Sequence, residues 1–434
     1  MFVLRLLILA VLALPALAQA RAQAQAGCEA GHCSALGNGD LQWDASLRLR
    51  GMYFDPTRFG IGGSEDGYGL LRALGSATYR RDDWQARVQL GVHAEQGRAG
   101  GPGGTDQGAL DVQQAYWRWQ GRHAWLQLGR QEASYGSSRL LSVRDGPNIR
   151  LAFDGVRLGW RGAAGRLDLL ALRAVDNRPG AFDDRSEPGA HLWGVYATSA
   201  AQGRSGQWDA YLLDYQRDGA RFADGNGRER RQTLGTRWFG QRDSLDWNLE
   251  AVAQRGHLDT VAQRLDIRAW TLASDTGWRW RQAPLQPRLG VKLDIASGDR
   301  DTGDGRLQTF NALYPKSSYF SEASLLAPAN LVDVQPTLDL QFNERLSTQL
   351  GVQLAWKQQR SDAVYTTPAP LVPLPGSAGG ARRIGTQYKA ETRWQASEDW
   401  LWQWQLAWVD AGPALRQAGG RNTLFASIVG AWQW

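Results

Sequence analysis

Long apolar runs are scarce in this 434-residue chain. Beyond an amino-terminal stretch that ends at Leu17, no segment reaches the roughly 18 apolar residues that a membrane helix requires. A polytopic helical membrane protein is therefore excluded, in keeping with a mean hydropathy of −0.44. Charge is also limited, at 21% of residues, while aromatics reach 10%. That balance is wrong for a disordered chain. Two cysteines, Cys28 and Cys33, leave only one intrachain disulfide that could form. Lysine is nearly absent: Lys292, Lys316, Lys357 and Lys389 are the only four among 49 basic residues, so 49 − 4 = 45 are arginine. Against these shortages stand 51 glycines and 21 tryptophans. The combination implies a large β-rich protein with many turns and many interfacial aromatics.

The amino terminus sets the compartment. Arg5 is the only charge before the apolar run Leu6 to Leu17, and Ala16-Leu17-Ala18 or Ala18-Gln19-Ala20 supplies a small-x-small cleavage site. Residues 1–20 read as a secretory signal. The run is too short for a membrane anchor, and Cys28 lies too far beyond it for a lipoprotein. Residues 21–40 read as a flexible lead-in. In an oxidising compartment Cys28 and Cys33 could pair across Glu29-Ala30-Gly31-His32. Such a short loop adds at most roughly 2 kcal/mol.

From residue 41 to 434 the chain alternates with period two. Leu41, Trp43, Ala45, Leu47 and Leu49 point one way, and Gln42, Asp44, Ser46, Arg48 and Arg50 the other. Leu245, Trp247, Leu249 and Ala251 oppose Asp246, Asn248 and Glu250, and Trp400, Trp402, Trp404 and Leu406 oppose Gln403 and Gln405. Helical spacing would scatter these residues around an axis, so they are strands. Each is about ten residues long, which suits a tilted strand crossing a bilayer. A soluble sandwich also alternates, but it does not repeatedly place Trp at the ends of its apolar faces.

About eighteen such segments occur, separated alternately by short turns and long loops. The long connections include 55–66, 96–109, 131–152, 176–190, 216–229, 255–266 and 297–330. An even count puts both ends on the short-turn side. The expected fold is all-β: a transmembrane antiparallel barrel of about eighteen strands in a bacterial outer membrane, with both termini periplasmic.

Arg48, Arg50, Arg72, Arg87, Arg157, Arg237, Arg268, Arg288 and Lys292 fall on the polar face of their strands, which in a barrel lines the lumen. Guanidinium groups grip carboxylates in a two-pronged fork and keep their charge. A series of them in a narrow wall would select anions by field while each site stays weak. The competing reading is that each simply pairs with a lumen carboxylate, such as Asp44, Asp168 or Asp246, and stiffens the wall. The net charge of +6 fits either reading.

Residues Gly129 to Gly155 read GRQEASYGSSRLLSVRDGPNIRLAFDG. This run resembles the alginate-export outer-membrane porin family. So do Ala296-Ser297-Gly298-Asp299 with Thr309-Phe310-Asn311, Tyr314-Pro315 and Pro328-Ala329-Asn330-Leu331, and the later Arg383-Ile384-Gly385-Thr386. The resemblance spans most of residues 40–434. It implies an eighteen-stranded barrel that passes an acidic polysaccharide through an arginine-rich constriction. On that basis Arg130, Arg139, Arg144 and Arg150 would form the constriction or its infolded loop, with Asp154 orienting one of them. The partners implied are an anionic polysaccharide or small acidic solutes, outer-membrane lipid and a periplasmic export complex.

Other chemistries fit poorly. Five histidines and no G-x-S-x-G elbow leave no catalytic constellation, so no enzyme, cofactor or metal is expected. Asp299-Arg300-Asp301-Thr302-Gly303-Asp304 offers oxygen ligands, but Phe310 stands where a calcium loop needs Glu. The basic residues lie within strands rather than on one exposed face, which disfavours nucleic acid. A general anion-selective porin and a loop-plugged structural or adhesive barrel are the alternatives to a polysaccharide channel.

Overall fold

The computed structural model describes residues 32–36, 39–201, 206–316, 318, 320–366 and 371–434. The signal segment 1–20 and Cys28 lie outside them, so the expected Cys28–Cys33 pairing does too. Part of the lead-in expected to be flexible is a short strand, His32–Leu36, paired with Gly39–Trp43.

Among the described residues, eighteen long strands form the barrel wall. They are β1 Gly39–Asp55, β2 Asp66–Arg81, β3 Trp84–Gln96, β4 Gly108–Gln120, β5 Ala124–Gln131 and β6 Phe153–Gly162. There follow β7 Gly165–Asp176, β8 Ala190–Ser199, β9 Gln207–Phe222, β10 Gly225–Arg242, β11 Leu245–Thr260 and β12 Arg264–Arg279. The last six are β13 Arg288–Ala296, β14 Leu331–Asn343, β15 Leu346–Lys357, β16 Arg383–Gln395, β17 Trp400–Ala411 and β18 Thr423–Gln433. Each pairs antiparallel with the next. β18 also pairs with β1, from Ser46↔Gln433 to Asp55↔Leu424, and this closes the barrel. Closure satisfies every backbone group without an open edge, the condition for a sheet in hydrocarbon.

The alternation now has a direction. In β12, Leu265, Ile267, Ala269 and Ala273 are buried, whereas Trp270, Leu272 and Trp278 are exposed. Leu212, Leu234, Leu289 and Leu406 are likewise more than half exposed. Such a wall is stable only where the surroundings are apolar. Tryptophans gather outside the short-turn rim, where Trp208 stacks on Trp238 at 5.8 Å and Trp394 on Trp404 at 6.4 Å. Their amphipathic rings suit the headgroup level.

Eight short connections and both ends of the barrel chain lie at one rim. The other rim carries nine connections, two of which are not the long loops expected. Residues 216–229 and 255–266 continue β9 to β12 as tall hairpins, turned by Ala223-Asp224 and by Val261-Ala262-Gln263. Their outward residues become polar because they stand above the lipid, which hides the strand in the sequence. Their inward Phe222, Leu258, Leu265 and Ile267 pack under Leu307, Ala329 and Tyr365 from neighbouring loops.

Two loops fold into the barrel. Residues 132–152, between β5 and β6, and 297–330, between β13 and β14, meet through a Leu141↔Tyr314 bridge. Tyr314 N donates to Leu140 O at 2.9 Å and Lys316 N to Ser138 O at 2.9 Å. Leu140, Leu141, Phe310 and Tyr314 pack on Phe153, Leu170, Leu172, Tyr211 and Tyr215 of the inner wall. Beneath these loops the lumen face of β7 to β9 carries Leu170, Leu172, Leu192, Leu213 and Tyr215, apolar residues where polar ones were expected. It is apolar because loops, not water, cover it.

Candidate functional site

The first infolded loop is held by three arginines. Arg48 and Arg72 stand directly opposite each other on β1 and β2. Arg48 donates to Asp145 O at 2.6 Å and to Pro147 O at 2.9 Å. Arg72 donates to Asn148 O at 2.7 Å, Pro147 O at 2.7 Å and the Asp145 carboxylate at 2.6 Å. Arg50 donates to Gly146 O at 2.8 Å and pairs with Glu322 of the second loop at 3.2 Å. Asn148, fully buried, returns its amide to Leu71 O, Ala94 O and Asp106 O at 2.8–3.2 Å. Neighbouring arginines repel, but a turn that presents successive carbonyls gives each guanidinium its acceptors. These three cations hold a loop rather than line an open path.

Most other expected lining cations have found acceptors. Arg139 reaches across from the loop to Asp294 at 2.5 Å and Glu250 at 3.3 Å. Arg150 pairs with Glu132 at 2.8 Å, Arg87 with Asp44 at 2.8 Å and Arg237 with Asp209 at 2.8 Å. Arg288 grips Asp246 with two nitrogens, at 2.8 and 2.5 Å, and also meets Asp275 and Asp339. Arg157 donates to Gln131 at 2.7 Å. Lys292 lies 3.9 Å from Asp275. Arg144 is buried in the first loop, where burial and the nearby Arg217 push it down to about 10.

Three residues depart from their expected positions. Arg130 and Asp154 pair at 2.8 and 3.1 Å, but in strand parity they match the exposed Leu128 and Val156, so they face outward beneath Asp184 and Ser186. Gly129 and Gly155 occupy the inward positions there. Arg268 shares the outward face of Trp270 and is exposed. Period-two counting slips when a strand outruns the lipid or ends in a polar rim, because polarity then no longer marks the lumen.

Where the two infolded loops meet, the positive charge is carried mainly by lysine. Lys292 on β13, Lys389 on β16 and Lys316 on the second loop converge where the two loops meet, with Glu322, Glu391 and Asp275 around them. Lys389 donates to Phe320 O. The Lys316 ammonium has no hydrogen bond or ion pair among the described residues. Burial, with Lys292 and Arg139 nearby, pushes its amine below the ordinary value. A cation so placed gains from an arriving carboxylate. Nearer the short-turn rim, Arg118, Arg157 and Arg166 surround the Trp125 ring at 4.6, 5.6 and 5.6 Å, with Asp168 bound to Arg166. Strand alternation does not single out Lys316, Lys389, Arg118 or Arg166 as site residues. The scarcity of lysine was the available signal: three of only four lysines gather at one place.

The acidic loops serve their own turns. Asp299 accepts from Gln308 N at 3.0 Å and Asp304 from Arg306 N at 2.8 Å. Asp111, Asp183 and Asp184 bring carboxylate oxygens within 4.8 Å, and Asp111 accepts the backbone N–H of both others at 2.9 and 3.1 Å.

The family model for alginate export matches residues 40–428. The chain belongs to the alginate export family. No curated protein matches it significantly by sequence. Among solved structures it is similar to Pseudomonas aeruginosa OccK9 (OpdG), with a TM-score of 0.61 and 11% identity over 90% of this chain and 98% of that one. It is also similar to OccK2 (OpdF) of the same organism, solved in complex with glucuronate, with a TM-score of 0.58 and 13% identity over 90% and 97%. OpdK with vanillate gives a TM-score of 0.58 and 13% identity over 90% and 98%. At these identities the likeness is one of fold. This alginate-export barrel has the closed eighteen-stranded fold of outer-membrane porins. Its two longest family-like motifs are its two infolded loops. The third, Arg383-Ile384-Gly385-Thr386, opens β16, where Gly385 lies so near Asp410 O that a Cβ would sit at 2.4 Å.

Proposed function

We propose that this barrel is a passive channel for an acidic polysaccharide of the alginate type, guided past the junction of its two infolded loops by Lys292, Lys316, Lys389 and Arg139. The observation that carries this reading is the gathering of lysines there, with Lys316 unneutralised. Arg118, Arg157 and Arg166 would offer a second set of cations farther along, so a polyanion could be passed between weak sites. Arg48, Arg50, Arg72, Arg150, Arg237 and Arg288 shape the passage by fixing its loops and wall. In this reading residues 1–20 are the export signal, the short-turn rim with both termini faces the periplasm, and a periplasmic synthesis or export complex delivers the polymer.

A second reading is a channel for small acidic solutes. Backbone hydrogen bonds between the two loops, which narrow the lumen, favour it, as does the glucuronate held by a barrel of the same fold. Single-channel recording separates the two. A polymer channel prefers anions and is blocked by polyuronate; a small-solute porin prefers anions and is not blocked by the polymer.

A further inference from the structure

On the outer wall of the tall hairpins, Arg255 of β11 and Arg268 of β12 are direct cross-strand partners. Both are exposed, and neither side chain has a carboxylate or any hydrogen bond among the described residues. Like charges in this position repel. Arg230 of β10 stands one step higher, beside His257. The acids nearest on this face are Asp214 on β9, in the row of Gln232 and Arg255, and Asp266, opposite His257.

Directly below, the wall is apolar. The outward run from Leu245 to Ala253 is about nine residues, the span of a tilted strand in hydrocarbon. Ala253 and Ala251 make the floor of a furrow whose sides are Leu234 on β10 and Trp270 and Leu272 on β12. The furrow runs into an outward hollow of about 460 Å³ lined by Trp238, Leu249, Ala251, Leu272 and Leu293. Ala251 lies four residues below Arg255, roughly 13 Å at strand rise. A cation pair above a hydrocarbon-lined furrow has the outline of a phosphorylated lipid, with headgroup on top and acyl chain beneath.

We infer that Arg255 and Arg268 bind the phosphate of an outer-leaflet phosphoglycolipid whose acyl chain lies in the Ala251–Ala253 furrow. Free phosphate would satisfy the guanidiniums but leave the furrow empty, so the lipid is the occupant. The inference rests on the proposed orientation, with the tall hairpins outside the cell. It is independent of the cargo, because these residues lie outside the barrel.

Native mass spectrometry of the full barrel in detergent tests it, with diphosphoryl lipid A, the same lipid stripped of phosphate, a plain zwitterionic phospholipid and inorganic phosphate as probes. Wild-type barrel should retain lipid A roughly tenfold better than the stripped lipid. Arg255→Gln with Arg268→Gln should remove that preference, and Ala253→Trp should weaken lipid A retention through the furrow alone. Conductance and ion selectivity should stay at the wild-type level in all of these variants. Equal retention of both glycolipids, preference for the zwitterionic phospholipid, lipid retention unchanged by the double variant, or a self-associated barrel lost with it would each overturn the inference. If the double variant fails to assemble, Ala253→Trp decides: unchanged retention overturns the proposal. Loss of anion selectivity in wild type would count against the cargo reading and leave this site standing.

Discussion

A guanidinium that holds a carboxylate attracts a passing anion weakly, so each lumen cation counts only for what its partner leaves uncovered. Arg139 illustrates this. Arg139→Gln would leave the charges of Glu250 and Asp294 without their guanidinium and shift permeability toward cations; an unchanged reversal potential would contradict this pairing. Removing Arg139, Arg144 and Arg150 together should lower anion preference further, because Glu132 is uncovered as well. Lys316 acts by its own charge. At an interaction of about 1 kcal/mol with a passing anion, Lys292→Gln with Lys316→Gln should lower anion permeability roughly fivefold and the anion-to-cation ratio by more. The same double substitution should leave thermal stability nearly unchanged, since Lys316 holds no acceptor through its ammonium.

At the scale of single elements, the infolded loop depends on Asn148 as much as on its arginine clamp. Asn148→Ala removes the one side-chain amide that Leu71 O, Ala94 O and Asp106 O share, and a buried carbonyl left unsatisfied costs about 1–3 kcal/mol. The expected result is a loop 132–152 that proteases can nick and a channel of higher, noisier conductance. A loop as resistant as wild type would show that packing of Leu140 and Leu141 holds it instead.

The loop between β7 and β8 should respond to pH. Burial, with Asp111 and Asp183 nearby, raises the Asp184 carboxyl to about 6 from an ordinary 3.8. A raised carboxyl binds its proton more tightly when folded, so its contribution is complete below about pH 4 and is lost as pH rises through about 6. Amide protection across 177–189, corrected for intrinsic rates, should fall over that interval. Asp184→Asn should abolish the change.

Alternation made β1, β11 and β17 legible, because lipid and lumen differ most sharply there. It failed at 216–229 and 255–266, where both faces of the strand meet polar surroundings or other loops. The clamp was half legible: Arg48, Arg50 and Arg72 stood on the right face, but Gly146-Pro147-Asn148 lies about a hundred residues away, and only the closed barrel brings them together. The outward turn of Arg130 and Asp154 was hidden because Gly129 and Gly155 leave no side chain to mark the lumen.

For the whole molecule, closure through β18 and β1 leaves an apolar outer wall, a Trp-rich short-turn rim and a mixed-charge lumen crossed by two loops. The count of eighteen came through intact because each strand must span the same hydrocarbon thickness. The lumen is less cationic than its arginine content implies, since carboxylates travel with the arginines. In the proposed reading, selectivity is set locally, by the cations at the loop junction and around Trp125. The most direct measurement is single-channel recording of the purified barrel in a planar bilayer under a salt gradient, with polyuronate added to one side. A polymer channel with this junction gives a reversal potential of anionic sign and is blocked by the polymer. A cation-selective or non-conducting barrel would contradict that reading.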